Sequence, residues 1–172
     1  MLTAALAAIA AVAIAAATPQ PAANAPSAPC VSSVHRQFDF WLGDWNVKDT
    51  ATGAPAGHNL VTLEQGSCVL QEHWRGSDGS SGTSFNIYYA GDKQWHQTWV
   101  DSNGLLLRLD GGLVDGKMVL SGKRVNRLGK VVTDRIVWTP EPNGDVRQVW
   151  DFTSDEGKTW QHVFDGTYVR VH

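Results

Sequence analysis

Trp95-His96-Gln97-Thr98-Trp99-Val100-Asp101-Ser102-Asn103-Gly104-Leu105-Leu106-Leu107-Arg108-Leu109 is the stretch from which the fold is read. Trp95, Gln97 and Trp99 alternate with His96, Thr98 and Val100. That period of two sends successive side chains to opposite faces of a strand. Ser102-Asn103-Gly104 then supplies residues that tolerate positive φ, and 105–109 resumes an extended run. A connection this short joins antiparallel neighbours.

The same strand–turn–strand order repeats in both directions from this hairpin. Short runs rich in Val, Trp, Tyr, Thr and Ile lie at 45–48, 59–64, 69–75, 83–89, 105–109, 118–125, 131–138, 146–152 and 160–171. Ala90-Gly91-Asp92, Asp115-Gly116 and Pro142-Asn143-Gly144-Asp145 punctuate them. With 95–100 these make about ten strands in one meander, and closure into a barrel removes the exposed edges such a sheet would carry. The expected fold is therefore all-β: an antiparallel up-and-down β-barrel of about ten strands. Residues 34–42 form the one helical candidate, a short N-terminal helix placed to plug a barrel end.

Composition changes sharply near residue 30. Residues 2–17 are Ala, Leu, Ile and Val with one Thr, and 18–29 are rich in Pro, Ala, Asn and Ser. The apolar run is shorter than the roughly 20 residues of a membrane span but has the length of a signal-peptide core. Residues 1–29 thus read as a signal peptide and Pro/Ala-rich linker, and 30–172 as a single barrel domain. The expected location is periplasmic or secreted, with no integral membrane span after cleavage. Cys30 and Cys68 are the two cysteines, and in an oxidising compartment they can pair. The bond would close a loop of about 37 residues and stabilise the fold by roughly 3–4 kcal/mol. A formal net charge of -3 gives no electrostatic reason to bind nucleic acid. The one basic cluster, Lys123, Arg124, Arg127 and Lys130, straddles a turn at 126–129 and reads as a solvated hairpin tip.

Alternation assigns the faces. Cys68, Leu70, Glu72 and Trp74 share one face against Val69, Gln71, His73 and Arg75; Trp95, Gln97 and Trp99 share another; Val146, Gln148, Trp150 and Phe152 a third. In 160–171 Trp160, His162, Phe164 and Tyr168 fall together. In 83–89 the pattern is ambiguous: Phe85, Ile87 and Tyr89 compete with Ser84, Asn86 and Tyr88. The inward set mixes aromatic rings with polar groups. A buried polar group needs a partner to offset about 1–3 kcal/mol, so a packed core would not choose them. Aromatic walls with a few convergent polar groups describe a small-molecule pocket. The lumen candidates are Glu72, Trp74, Asn86, Tyr88, Trp95, Gln97, Trp99, Gln148, Trp150 and His162.

Phe38-Asp39-Phe40-Trp41-Leu42-Gly43-Asp44-Trp45 contains Gly43-x-Trp45 ahead of the first strand, which resembles the Gly-x-Trp opening of lipocalins. Together with Cys68-Val69-Leu70-Gln71-Glu72-His73-Trp74, the 95–101 strand and Val146-Arg147-Gln148-Val149-Trp150, it resembles a family of bacterial secreted domains of unknown function. The likeness runs over about residues 30–172 and implies a calycin-like barrel, akin to lipocalins, fatty-acid-binding proteins and nitrobindins, without implying a reaction. Thr153-x-Asp155-x-Gly157-x-Thr159-Trp160 matches the Asp box of sialidases and other β-propellers. It occurs once here and reads as a hairpin device: Asp155 accepts turn N–H groups, Gly157 supplies positive φ, and Trp160 packs beneath.

No nucleophile motif, Walker loop or zinc spacing occurs, and neither metal nor cofactor is expected. His73 and His96 fall on the outer face, where neighbouring strands would bring them together. His162, as the one inward histidine, is the position a haem-binding barrel would use as axial ligand, although the glycine-rich first strand of nitrobindins is missing. Glu72 has two readings: an ion pair with Arg135, which the pattern favours, or a carboxyl of raised pKa acting as acid or base. The leading function is an exported barrel binding a small, partly apolar molecule. The alternatives are an isomerase, cyclase or hydrolase working through Glu72 or His162, and a structural accessory of a cell-envelope complex. The sequence leaves open whether the protein catalyses a reaction.

Overall fold

The computed structural model describes residues 29–171, so the leader and linker read from the sequence lie outside the described residues. Ten strands follow in order: β1 Gly43–Asp49, β2 Pro55–Glu64, β3 Val69–Gly76, β4 Ser81–Tyr89, β5 Gln94–Asp101, β6 Leu106–Val114, β7 Lys117–Val125, β8 Val131–Pro140, β9 Val146–Thr153 and β10 Gln161–Arg170. Each pairs antiparallel with its sequence neighbour, and β10 returns to β1 with Trp45 opposite Arg170, so the sheet closes on itself. Among the described residues no helix is long and apolar enough to cross a membrane.

The helical segment takes the form of two successive 3-10 turns, Ser33–Arg36 and Asp39–Trp41. They carry Phe38 and Trp41, both fully buried, into one barrel end. There Phe38 stacks on Trp41 at 5.0 Å between centroids and meets Trp138 edge-on at 5.1 Å and Trp95 at 5.8 Å. Burying rings of this size contributes about 1.5–3 kcal/mol each, which makes the plug a principal part of the core. Trp45 Nε1 donates to Trp41 O at 3.0 Å, and the Arg170 guanidinium lies 4.2 Å above the Trp45 ring. Gly43 sits at φ +142, and a Cβ there would stand 2.3 Å from Arg170 Nη1. Only glycine serves at the first position of the Gly43-x-Trp45 opening.

Cys30 and Cys68 are joined, with Cα atoms 5.0 Å apart, so the N-terminal arm is strapped to the β2–β3 turn. Arg36 Nη2 donates to Ser67 O beside the strap. The Asp box forms the β9–β10 hairpin. Asp155 Oδ1 accepts from Thr159 N at 2.9 Å and Thr153 Oγ1 at 2.7 Å, and Oδ2 accepts from Thr159 Oγ1 at 2.6 Å. Gly157 lies at φ +89 with the Trp160 indole below it.

Three face assignments differ from the alternation. A register shift between His162 and Phe164 bulges β10, so Phe164 and Tyr168 stay inside while His162 turns out to Asp151 at 3.0 Å. Trp160 belongs to the outer side, where the Arg135 guanidinium covers it at 3.9 Å. Arg124, read as part of a solvated tip, turns inward and forms a two-pronged pair with fully buried Asp134, at 2.7 and 3.2 Å. The ambiguous β4 places Ser84, Asn86 and Tyr88 inside and exposes Phe85, Ile87 and Tyr89.

Candidate functional site

The aromatic plug fills only one end of the barrel. Towards the other end lies a cavity of about 190 Å³. Its apolar surface comes from Trp74, Trp99, Leu107, Ile136, Trp138, Trp150 and Phe164, with Val163 of the β10 bulge at the rim. Its polar groups are Glu72, Gln97, Gln148 and Tyr168. Two cross-strand glycines keep it open. A Cβ on Gly82 would stand 2.3 Å from the Trp99 ring, and one on Gly57 would stand 2.6 Å from the Trp74 ring. Each indole therefore packs its six-membered ring against bare backbone, in space that a side chain would fill. Trp150 is pinned by its Nε1, which donates to Asp134 Oδ1 at 2.8 Å.

The polar groups form a ladder across β2–β5. Asn59 Nδ2 donates to Glu72 Oε1 at 3.1 Å, and Ser84 Oγ donates to Glu72 Oε2 at 2.6 Å. Asn86 Nδ2 donates to Ser84 Oγ at 2.9 Å and to Leu70 O at 3.1 Å. Gln97 Nε2 donates to Asn86 Oδ1 at 2.8 Å. On the opposite wall Gln148 Oε1 accepts from Tyr168 Oη at 2.5 Å and from Trp138 Nε1 at 3.1 Å.

Glu72 is 4% exposed, and among the described residues no cation pairs with it. Burial pushes its carboxyl up to about 7, against the opposing pull of the Ser84 and Asn59 hydrogen bonds. Burial likewise raises the Tyr168 phenol, and the nearby Glu72 charge raises it further.

The expected ion pair between Glu72 and Arg135 does not form. Ile136 and Trp138 occupy the inner face of β8, which sends Arg135 outward to Asp151 at 3.4 Å. His162 lies on the outside too and cannot serve as a haem ligand or an acid in the lumen. His73 and His96 are not neighbours: β4 lies between their strands, and His96 is held by Asp110 at 2.6 Å and Asp92 at 3.0 Å. Among the described residues no cluster of His, Cys, Asp or Glu could hold a metal ion.

Of the lumen candidates, Glu72, Trp74, Gln97, Trp99, Gln148 and Trp150 come together around the cavity. Asn86 lies buried behind Gln97, while Trp95 and Tyr88, 6.1 Å apart, belong to the plugged end. Asn59, Ser84, Trp138 and Tyr168 were not among the candidates. Asn59-x-Val61-x-Leu63 and Asp134-x-Ile136-x-Trp138 carry the alternation that would have found two of them. Comparison with models of protein families finds no match, and comparison with curated proteins finds none either.

Proposed function

We propose that the protein is an exported binding barrel for a small, partly apolar molecule, built on a calycin-like plan. The observation that carries this reading is the cavity, walled by tryptophans on bare-backbone glycines and supplied with an unpaired carboxyl. Its volume exceeds that of an apolar cavity known to take up benzene, about 150 Å³, and is below the usual 300–1,000 Å³ of drug-sized sites. The ligand is accordingly of one-ring or two-ring size. Aromatic walls supply affinity, and Glu72, Gln97 and Gln148 orient its polar groups. Export accords with the disulfide, a bond that persists in oxidising compartments.

Tryptophan fluorescence titration against a panel of small aromatic and alicyclic molecules tests the reading. Trp99→Ala and Trp150→Ala each remove a ring worth about 1.5–3 kcal/mol of burial, so affinity should fall about tenfold to a hundredfold with the fold retained. Unchanged affinity in both variants would place the ligand elsewhere.

A second reading rests on Glu72 alone. A carboxyl with a pKa of about 7 beside a cavity suits general acid–base chemistry, and His162, being outside, contributes nothing to it. An isomerase or hydrolase of this kind would lose turnover, not affinity, in Glu72→Gln.

A further inference from the structure

The polar wall of the lumen is rich in acceptors and poor in donors. Asn59 and Ser84 each donate once to Glu72, and a carboxylate has about four acceptor positions, so both its oxygens can accept again. Gln97 spends its amide nitrogen on Asn86, and among the described residues no hydrogen bond ends on its Oε1. Asn59 Oδ1 is buried without a partner. The charges that could neutralise Glu72 are engaged elsewhere. Arg124 of β7 is paired with Asp134 of β8, Arg135 lies outside, and β10 brings only the neutral phenol of Tyr168. Around this carboxyl the aromatic side chains of Trp74, Trp99 and Phe164 line the cavity, with Trp74 and Phe164 in a T-shaped contact at 5.9 Å.

We propose that the lumen selects an organic cation: a protonated primary or secondary amine on a ring-sized apolar body, its ammonium hydrogen-bonded to Glu72 and Gln97. This rests on the binding reading above and names the chemical class of the ligand. The ammonium supplies both the missing positive charge and the missing donors. Aromatic faces attract cations through their quadrupoles, more strongly in a desolvated site. A carboxylate ligand would meet Glu72 as a like charge, and a neutral alcohol would leave its charge uncompensated.

The test uses three probes of matched shape, phenethylamine, phenethyl alcohol and phenylacetate, titrated calorimetrically against the intact protein. At pH 8 the amine should bind about tenfold or more tightly than the alcohol, the margin of a charge-assisted hydrogen bond. With Glu72 titrating at about 7, amine affinity should fall about tenfold from pH 8 to pH 6 while alcohol affinity stays level or rises. Amine binding at pH 7 should release protons, seen as a dependence of the heat on the buffer. Glu72→Gln should bring the amine down to the level of the alcohol. The proton release, measured on the unmodified protein, decides the matter even if that variant folds poorly. Equal or tighter binding of the alcohol or of phenylacetate overturns the cation proposal and leaves the binding reading standing. Binding of none of the three overturns both.

Discussion

Replacing Glu72 by glutamine should make the protein more stable at pH 8 and leave it nearly unchanged at pH 5. The carboxyl has an ordinary pKa of 4.5 in the unfolded chain and about 7 in the folded one. Between those values the native state holds a proton that the unfolded state has released, so stability falls as pH rises. The contribution is fully present below the unfolded value and lost once pH passes the folded one. At 1.36 kcal/mol per pKa unit, a shift from 4.5 to about 7 amounts to about 3 kcal/mol. Glutamine has no charge to desolvate and can still accept from Asn59, while the Ser84 hydroxyl can rotate to accept from the new amide. The melting temperature of Glu72→Gln should thus exceed that of wild type by about 10 °C at pH 8, with the gap closing towards pH 5. Scanning calorimetry of the two proteins side by side removes the contribution of every other titrating group. A gap of the same size at both pH values would refute the reasoning, because it would mean that Glu72 carries no folding-linked proton. The fold on its own would be better served by glutamine, which is why the carboxylate points to a ligand.

Reducing the Cys30–Cys68 bond, which spans 38 residues, should cost about 4 kcal/mol and lower the urea midpoint accordingly; identical curves with and without reductant would contradict the strap. Gly82→Ala places a methyl 2.3 Å from the present Trp99 ring and should displace the indole, weakening amine binding about tenfold at a cost in stability of about 1–3 kcal/mol. Asp155→Ala should lower the melting temperature by several degrees yet leave ligand affinity as in wild type, since the hairpin lies off the cavity wall. Hydrogen bonds from Thr159 and Thr153 hold the Asp155 carboxyl at about 2, below its ordinary 3.8. The stability it confers is present above 3.8 and lost as pH falls through about 2, so the Asp155→Ala gap should close in strong acid.

The strands were legible because each carries its own alternation and each turn its own glycine or asparagine. The pattern in 95–101, Trp-x-Gln-x-Trp, reads the same way in the sequence and in the barrel. Strand β4 was not legible, because Phe85, Ile87 and Tyr89 face solvent while Ser84 and Asn86 are buried to serve Glu72 and Gln97. Local hydrophobicity cannot report a polar ladder that exists only once registers are set. The fate of His162 turned on a single extra residue in β10, and a bulge leaves no periodic trace in one sequence. Glu72 was identified as a lumen carboxyl, but its partners Asn59 and Ser84 come from β2 and β4, and only pairing across those strands brings them together.

The central claim is that a small molecule occupies the tryptophan-lined lumen, and the indole N–H resonances of the protein report on it directly. Trp74, Trp99, Trp138 and Trp150 line the cavity, whereas Trp160 lies outside beneath Arg135 and serves as an internal control. Phenethylamine added at pH 8 should shift the four lumen resonances in a saturable manner and leave Trp160 in place. A shift confined to Trp160, or no shift in the lumen set at saturating amine, would contradict the account.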